Sequence, residues 1–238
     1  MCYHVSQQNN DRLELESLFD AYLNFDIIPT YHHVNGFQRP TMMIITENEP
    51  NKIQLGTWSV APPDCENVAS YWKEKGGSVL NTRDDSLFTF KSAHWKSDAM
   101  LENKCIVLVT GFFEPHKVGK ESYPFMLYEP NNEVFGLCGY YVNQGDYLTF
   151  SIVTNTANEY MAKVHNGAKR MPMTIRADEK ESYFELNTIE DLQRVFSSKY
   201  CIPLEHKAVD RAVLNSRIDS NYPEITNEVN HPIIFDFD

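Results

Sequence analysis

Val134-Phe135-Gly136-Leu137-Cys138-Gly139-Tyr140-Tyr141-Val142 leads through Asn143-Gln144-Gly145-Asp146 into Tyr147-Leu148-Thr149-Phe150-Ser151-Ile152-Val153-Thr154-Asn155. Two runs rich in aromatic and β-branched residues, separated by four turn formers, predict a β-hairpin. Outward from it, residues 106–113 and 123–128 carry the same signature, as do 41–46 and 52–60. Helices are predicted at 10–23, 65–75, 93–103, 157–164 and 188–196. In the first, Leu15, Leu18, Phe19, Tyr22 and Leu23 recur at helical spacing, and Asn10 is available as a cap. The strands cluster and the helices interrupt them irregularly. A doubly wound parallel sheet needs regular alternation, so that fold is disfavoured. The expectation is α+β, with a largely antiparallel, barrel-like sheet flanked by helices.

The chain has 238 residues, 42% of them hydrophobic and 23% charged, which is the composition of a folded chain with a real core. No repeat, low-complexity tract or flexible linker divides it, so one domain is expected over 1–238. The balance of 21 basic against 33 acidic residues leaves a net charge of −12, which argues against coating nucleic acid or an anionic membrane indiscriminately. Much of the excess lies in residues 219–238, where Asp219, Glu224, Glu228, Asp236 and Asp238 stand without any Lys or Arg. A basic cleft elsewhere is compatible with that distribution. The apolar run 105–113 is broken by Thr110 and Gly111, far short of the roughly 20 residues of a membrane span. The first residues lack a basic segment followed by an apolar one, so no secretory signal is read. Cysteines at 2, 65, 105, 138 and 201 form an odd, scattered set without a Cys-x-x-Cys pair, as expected of a cytoplasmic protein with reduced thiols.

No Gly-rich phosphate loop, Gly-x-Ser-x-Gly elbow or His-Glu-x-x-His helix is present. No cofactor and no metal are expected. His32-His33 is a poor chelate, because neighbouring strand residues face opposite ways, and it reads as a solvated loop. The four internal cysteines read as packing residues.

Cys2 is the informative residue. Removal of Met1 exposes an α-amine of pKa about 8 beside a thiol of pKa about 8.5. The amine can condense with an aldehyde to an imine, and the thiol can close a five-membered thiazolidine onto the imine carbon. An internal cysteine cannot do this, because its nitrogen is an amide. On position alone, an incidental Cys2 is equally compatible.

Five blocks weigh against that alternative: Met1-Cys2-Tyr3-His4, Trp58-Ser59-Val60-Ala61-Pro62, Asn81-Thr82-Arg83-Asp84-Asp85, Gly111-Phe112-Phe113-Glu114-Pro115, and His165 followed by Arg170-Met171-Pro172. In this order they resemble the blocks of the SOS response-associated peptidases (SRAP), the abasic-site processing proteins. The resemblance covers residues 2–172. It departs from the family pattern where His4 stands for an Arg, Pro115 for an aromatic and Asp85 for a Glu, and where residues 166–169 lengthen the last block.

The resemblance implies a protein that crosslinks covalently to abasic sites in single-stranded DNA. Its peptidase name implies removal of Met1, and an abasic-site lyase activity is a further implication. Cys2, Asn81, Glu114 and His165 are the implied catalytic group. Glu114 ends an apolar run, so its carboxyl should have a raised pKa and shuttle protons. His165 could protonate the sugar oxygen or stabilise a developing alkoxide. Asn81 could orient the Cys2 amine as a neutral donor and acceptor. Arg83, Lys169 and Arg170 are candidates for holding phosphates. Trp58 and Phe113 are candidates for stacking on bases, with core packing the alternative. A monomer that associates with the nucleoid when acting is expected. Two other readings remain at this level: an N-terminal-nucleophile amidohydrolase or cysteine peptidase, and a nucleic-acid-binding module without catalysis.

Overall fold

The structure is a computed structural model that describes residues 2–89, 92–231, 233 and 237. In chain order its strands are β1 (His4–Gln7), β2 (Tyr22–Leu23), β3 (Tyr31–Asn35), β4 (Thr41–Thr46), β5 (Glu49–Trp58), β6 (Asn81–Arg83), β7 (Lys104–Val109), β8 (Gly111–Val118), β9 (Glu121–Tyr128), β10 (Phe135–Asn143), β11 (Leu148–Thr156), β12 (Arg170–Pro172), β13 (Thr174–Ile175) and β14 (Glu205–Ala208). The helices are α1 (Arg12–Phe19), α2 (Val68–Lys75), α3 (Asp84–Leu87), α4 (His94–Glu102), α5 (Glu159–Val164), α6 (Lys180–Phe184) and α7 (Ile189–Ser197).

The hairpin of the opening stretch forms as β10 and β11, with Val142 opposite Thr149 and Tyr140 opposite Ser151. At its tip Gly145 has φ of 90°, which a side chain would strain, and its N–H donates to Asn143 Oδ1 at 2.8 Å. Within the strands Gly139 is required by closeness: a Cβ there would stand 2.3 Å from the carbonyl oxygen of Ser151. From this hairpin the sheet continues antiparallel through β7, β4 and β5. Strand β5 then returns to pair in parallel with β11, Trp58 opposite Phe150. Five strands thus close a ring. The architecture is α+β with a barrel-like sheet, as the sequence predicts.

Both faces of the ring are buried. Met43, Ile45, Ile106, Leu108, Tyr140 and Val153 join a core with Leu15 and Phe19 of α1, Met100 of α4 and Phe196 of α7. Residues one position along, among them Met42, Ile44, Val107, Leu137 and Phe150, pack with Val5, Val34, Phe112 and Leu127 of a second sheet. That sheet has the order β14, β9, β8, β1, β3. The continuous apolar character of β7 and β10 therefore reflects two covered faces.

Three sequence expectations need correction. The helix predicted over 10–23 ends at Phe19: Asp11 caps it by accepting from the N–H groups of Leu13 and Glu14, and Asp20 takes left-handed φ of 46°. Tyr22 and Leu23 then leave as β2, parallel to β5. The strand predicted over 106–113 is two strands, broken at Thr110 where the chain passes from the ring into the second sheet. His32 and His33 lie in β3. Rather than being solvated, His33 is buried, with Nε2 2.9 Å from His4 Nδ1 and Nδ1 2.6 Å from Ser220 Oγ.

Candidate active site

Strand β1 lies inside the second sheet, between β8 and β3, with His4 opposite Phe113 on one side and Asn35 on the other. That placement encloses the residue just before it. Cys2 has 0% exposure, and its thiol donates to the His4 carbonyl at 3.8 Å. Burial raises the thiol pKa well above the ordinary value, and the charge of Glu114 raises it further.

Asn81 comes from β6, which takes over from β5 as the parallel neighbour of β11, with Asn81 opposite Ile152. Its Nδ2 donates to the Cys2 carbonyl at 2.7 Å. Its Oδ1 is buried and has no hydrogen-bond partner among the described residues.

Glu114 sits on β8, 1% exposed, and neither carboxyl oxygen takes part in a hydrogen bond among the described residues. Oε2 is 3.1 Å from His165 Nδ1, yet that nitrogen is directed at the carbonyl of Arg170, 2.9 Å away. A carbonyl only accepts, so Nδ1 carries the proton and Nε2 is left with a lone pair. Burial pushes Glu114 up to about 7 and His165 down to about 4. At neutral pH an acid close to its midpoint faces an uncharged imidazole. The imidazole is thus held uncharged at neutral pH, with Nε2 the nitrogen able to accept a proton.

Beside Asn81 opens a cleft of about 520 Å³, lined by Tyr3, Tyr71, Lys75, Arg83 and Lys96 together with small polar residues, and by no carboxylate among the described residues. Burial, and then the charge of Lys75, hold Lys96 below the usual lysine pKa. Lys75 itself is paired with Glu74 at 2.6 Å. Tyr3 reaches the same centre: burial raises its phenol pKa first, then Glu114 and Cys2. Its ring meets that of Phe37 at 5.2 Å. Tyr3, Tyr71, Lys75 and Lys96 were not singled out by sequence reasoning. α2 and α4 were expected as helices, but nothing in their sequence says which cleft their basic residues line.

The structure brings Cys2, Asn81, Glu114 and His165 together from four distant segments. Arg83 reaches the cleft, half-exposed, with its guanidinium paired to Asp85. Arg170 is different: it is 4% exposed, donates to Asp84 Oδ1 at 2.7 Å and to the Thr154 carbonyl, and holds the protein rather than the rim of a groove. Lys169 is exposed beside it, in left-handed conformation with φ of 49°. Trp58 and Phe113 present no ring to solvent. Trp58 donates from Nε1 to the Leu80 carbonyl at 2.9 Å and stacks on Phe150, while Phe113 packs edge-on to His33. Both serve the core. Among the described residues no group of three or more His, Cys, Asp or Glu is placed to hold a metal, and no helix is long and apolar enough to cross a membrane.

Comparison with known proteins gives a family and a fold. The family described as SOS response associated peptidase (SRAP) matches residues 1–216. A crystal structure of a protein from Bacteroides thetaiotaomicron superposes with a TM-score of 0.79 at 21% identity, covering 96% of this chain and 100% of that one. A Bordetella bronchiseptica protein gives 0.65 at 16% identity, covering 88% of this chain and 100% of its own. A phage-related protein from the same organism gives 0.58 at 13%, covering 88% and 95%. At these identities the likeness is one of fold. No curated protein matches the chain in sequence.

Proposed function

The chain belongs to the SOS response associated peptidase family, and from that premise we propose that it crosslinks covalently to abasic sites in single-stranded DNA through Cys2 once Met1 is removed. The observation that carries the reading is the surroundings of Cys2. Asn81 holds its carbonyl at 2.7 Å, and the charge of Glu114 acts on its thiol. Glu114 is itself a buried acid poised at about 7 against a neutral histidine.

The chemistry balances as follows. The Cys2 amine adds to the open-chain aldehyde of the abasic sugar, giving a carbinolamine. Glu114 in its acid form gives a proton to the hydroxyl, which leaves as water as the nitrogen lone pair forms the protonated imine, and the N–H proton of that imine returns to the Glu114 carboxylate. The thiol then adds through sulfur to the imine carbon, and its proton passes to the nitrogen, with Glu114 able to relay it. The net change is loss of one water. A thiol held protonated by burial suits this order, because it adds after the imine has formed and does not compete as a free thiolate. His165 Nε2 can accept the proton of the sugar hydroxyl as the closed hemiacetal opens. Lys75, Arg83 and Lys96 line the path for the flanking phosphates, and Tyr3 and Tyr71 offer rings to unstacked neighbouring bases.

The test is incubation of Met1-processed protein with an abasic-site oligonucleotide, followed by denaturing electrophoresis. Wild type should give a heat-stable adduct. Cys2→Ala keeps an amine but no thiol, and should give at most an imine that borohydride traps. Retention of Met1 should abolish the adduct. A heat-stable adduct from Cys2→Ala at the wild-type rate refutes the thiazolidine.

A further inference from the structure

His165 stands on no regular element. It terminates α5, which is six residues long, and the chain then takes an irregular path to β12. Its own backbone is held at one end of the turn only by helix-type bonds: its N–H donates to Met161 at 2.8 Å, and its carbonyl accepts from Lys169 at 3.1 Å. Glu114, in contrast, is fixed in mid-strand, with β9 alongside and Phe125 opposite. The side chain of a turn residue is thus set against that of a strand residue by the contacts between turn and strand.

We infer that Asn166 and His116 form a positioning clamp that ties the turn carrying His165 to strand β8 and so sets His165 against Glu114. Strand β1 accompanies β8 only over Gly111 to Phe113. Beyond that point the same edge of β8 has no strand neighbour among the described residues, and backbone groups there need partners. Asn166 supplies them with its side chain. The Lys117 N–H donates to Asn166 Oδ1 at 2.8 Å, and Asn166 Nδ2 donates to the Lys117 carbonyl at 2.9 Å. One amide side chain thus pairs with both backbone groups of one strand residue, as a neighbouring strand would.

His116 closes the clamp from the other direction. Its Nδ1 lies 3.0 Å from the carbonyls of both Lys163 and Val164, the last residues of α5. These are acceptors, so Nδ1 bears the proton, and Nε2 can accept from Asn166 Nδ2 at 3.3 Å. The residues on both sides of His165 are therefore bonded to the two strand residues that follow Glu114 by two and three positions.

The role is one of positioning, since neither residue touches the reacting atoms, and the inference rests on His165 and Glu114 being reacting groups. The groups acting on the imidazole are the charge of the N-terminal amine, the Arg170 carbonyl, the charge of Lys117 and the Glu114 carboxyl. Burial holds the ring at about 4, so a turn that swings outward should let it titrate nearer its free value of 6.5.

The experiment uses the full chain with Asn166→Ala, His116→Leu and His116→Asn. Adduct formation, DNA affinity and the His165 titration by NMR are measured in each. Asn166→Ala and His116→Leu should slow the adduct by about tenfold, leave affinity within about twofold, and move the His165 titration upward. His116→Asn retains a donor near the position of Nδ1 and should recover a large part of both the rate and the low titration. Wild-type rate and an unmoved His165 titration in Asn166→Ala would overturn the clamp. So would equal losses in His116→Asn and His116→Leu, which remain informative if Asn166→Ala fails to fold. Absence of any adduct from wild type refutes the function proposed above, while the titration of His165 still decides the clamp.

Discussion

Replacing Glu114 by Gln should make the protein relatively more stable at alkaline pH while slowing its chemistry. Glu114 is fully enclosed, and burial raises its pKa from 4.5 to about 7. The folded state therefore holds this proton more tightly than the unfolded chain does. Its contribution is greatest below the unfolded value, declines as pH rises between 4.5 and about 7, and is level above that. The whole shift corresponds to about 3 kcal/mol at about 1.4 kcal/mol per pH unit, most of which falls between about pH 5 and pH 8.5. Gln does not titrate. The wild-type minus variant difference in unfolding free energy should accordingly drop by about 2 to 3 kcal/mol from about pH 5 to pH 8.5. Any constant cost of fitting the amide cancels in that change, as do other groups that titrate in both proteins. Urea denaturation at several pH values measures it, with adduct formation followed in the same samples. A difference flat within about 0.5 kcal/mol across that range would refute the placement of Glu114 as a buried acid without a compensating partner.

Two further outcomes are expected. Asp84→Ala removes the carboxylate 2.7 Å from the buried Arg170 guanidinium, and should destabilise the fold by about 3 kcal/mol in denaturant titrations; a loss below about 1 kcal/mol would mean that Asp85, 3.8 Å from the same guanidinium, takes over its compensation. Lys96→Ala should reduce the magnitude of the salt slope of single-strand binding by about 0.7, the signature of one lost phosphate contact, and an unchanged slope would place the strand outside the cleft that Lys96 lines.

The hairpin, the largely antiparallel strands and most helices were legible because their patterns are local. Asn143 to Asp146 declare a turn, and residues 135–142 declare a strand whichever way it is packed. Ring closure was not legible, since nothing in Gly56-Thr57-Trp58 specifies a parallel neighbour some ninety residues on. Thr110 gave only a break in hydrophobicity, while the structure uses it to change sheets. His33 looked like a loop residue because its partners, His4 and Ser220, are remote in sequence. At the site, the resemblance nominated Cys2, Asn81, Glu114 and His165 and could not show how their surroundings shift them. Burial lowers the pKa of His165, and closes the rings of Trp58 and Phe113 inside the core. Lys75 and Lys96 escaped notice because a basic residue on a polar helix face looks the same whether it meets solvent or a groove.

The central position of β1 has a consequence for the order of events during synthesis. One neighbour, β3, follows within thirty residues, but the other, β8, begins at Gly111. At roughly 5–20 residues per second, the ribosome needs about 5–20 s to travel from Cys2 to that neighbour, and longer before β8 clears the exit tunnel. Throughout that interval the first strand of the protein has no completed sheet to enter. The nascent chain thus offers its N-terminus to processing enzymes, oxidants and stray aldehydes alike, and the same residue that folding later shuts away is at its most vulnerable while the rest of the molecule is still being made.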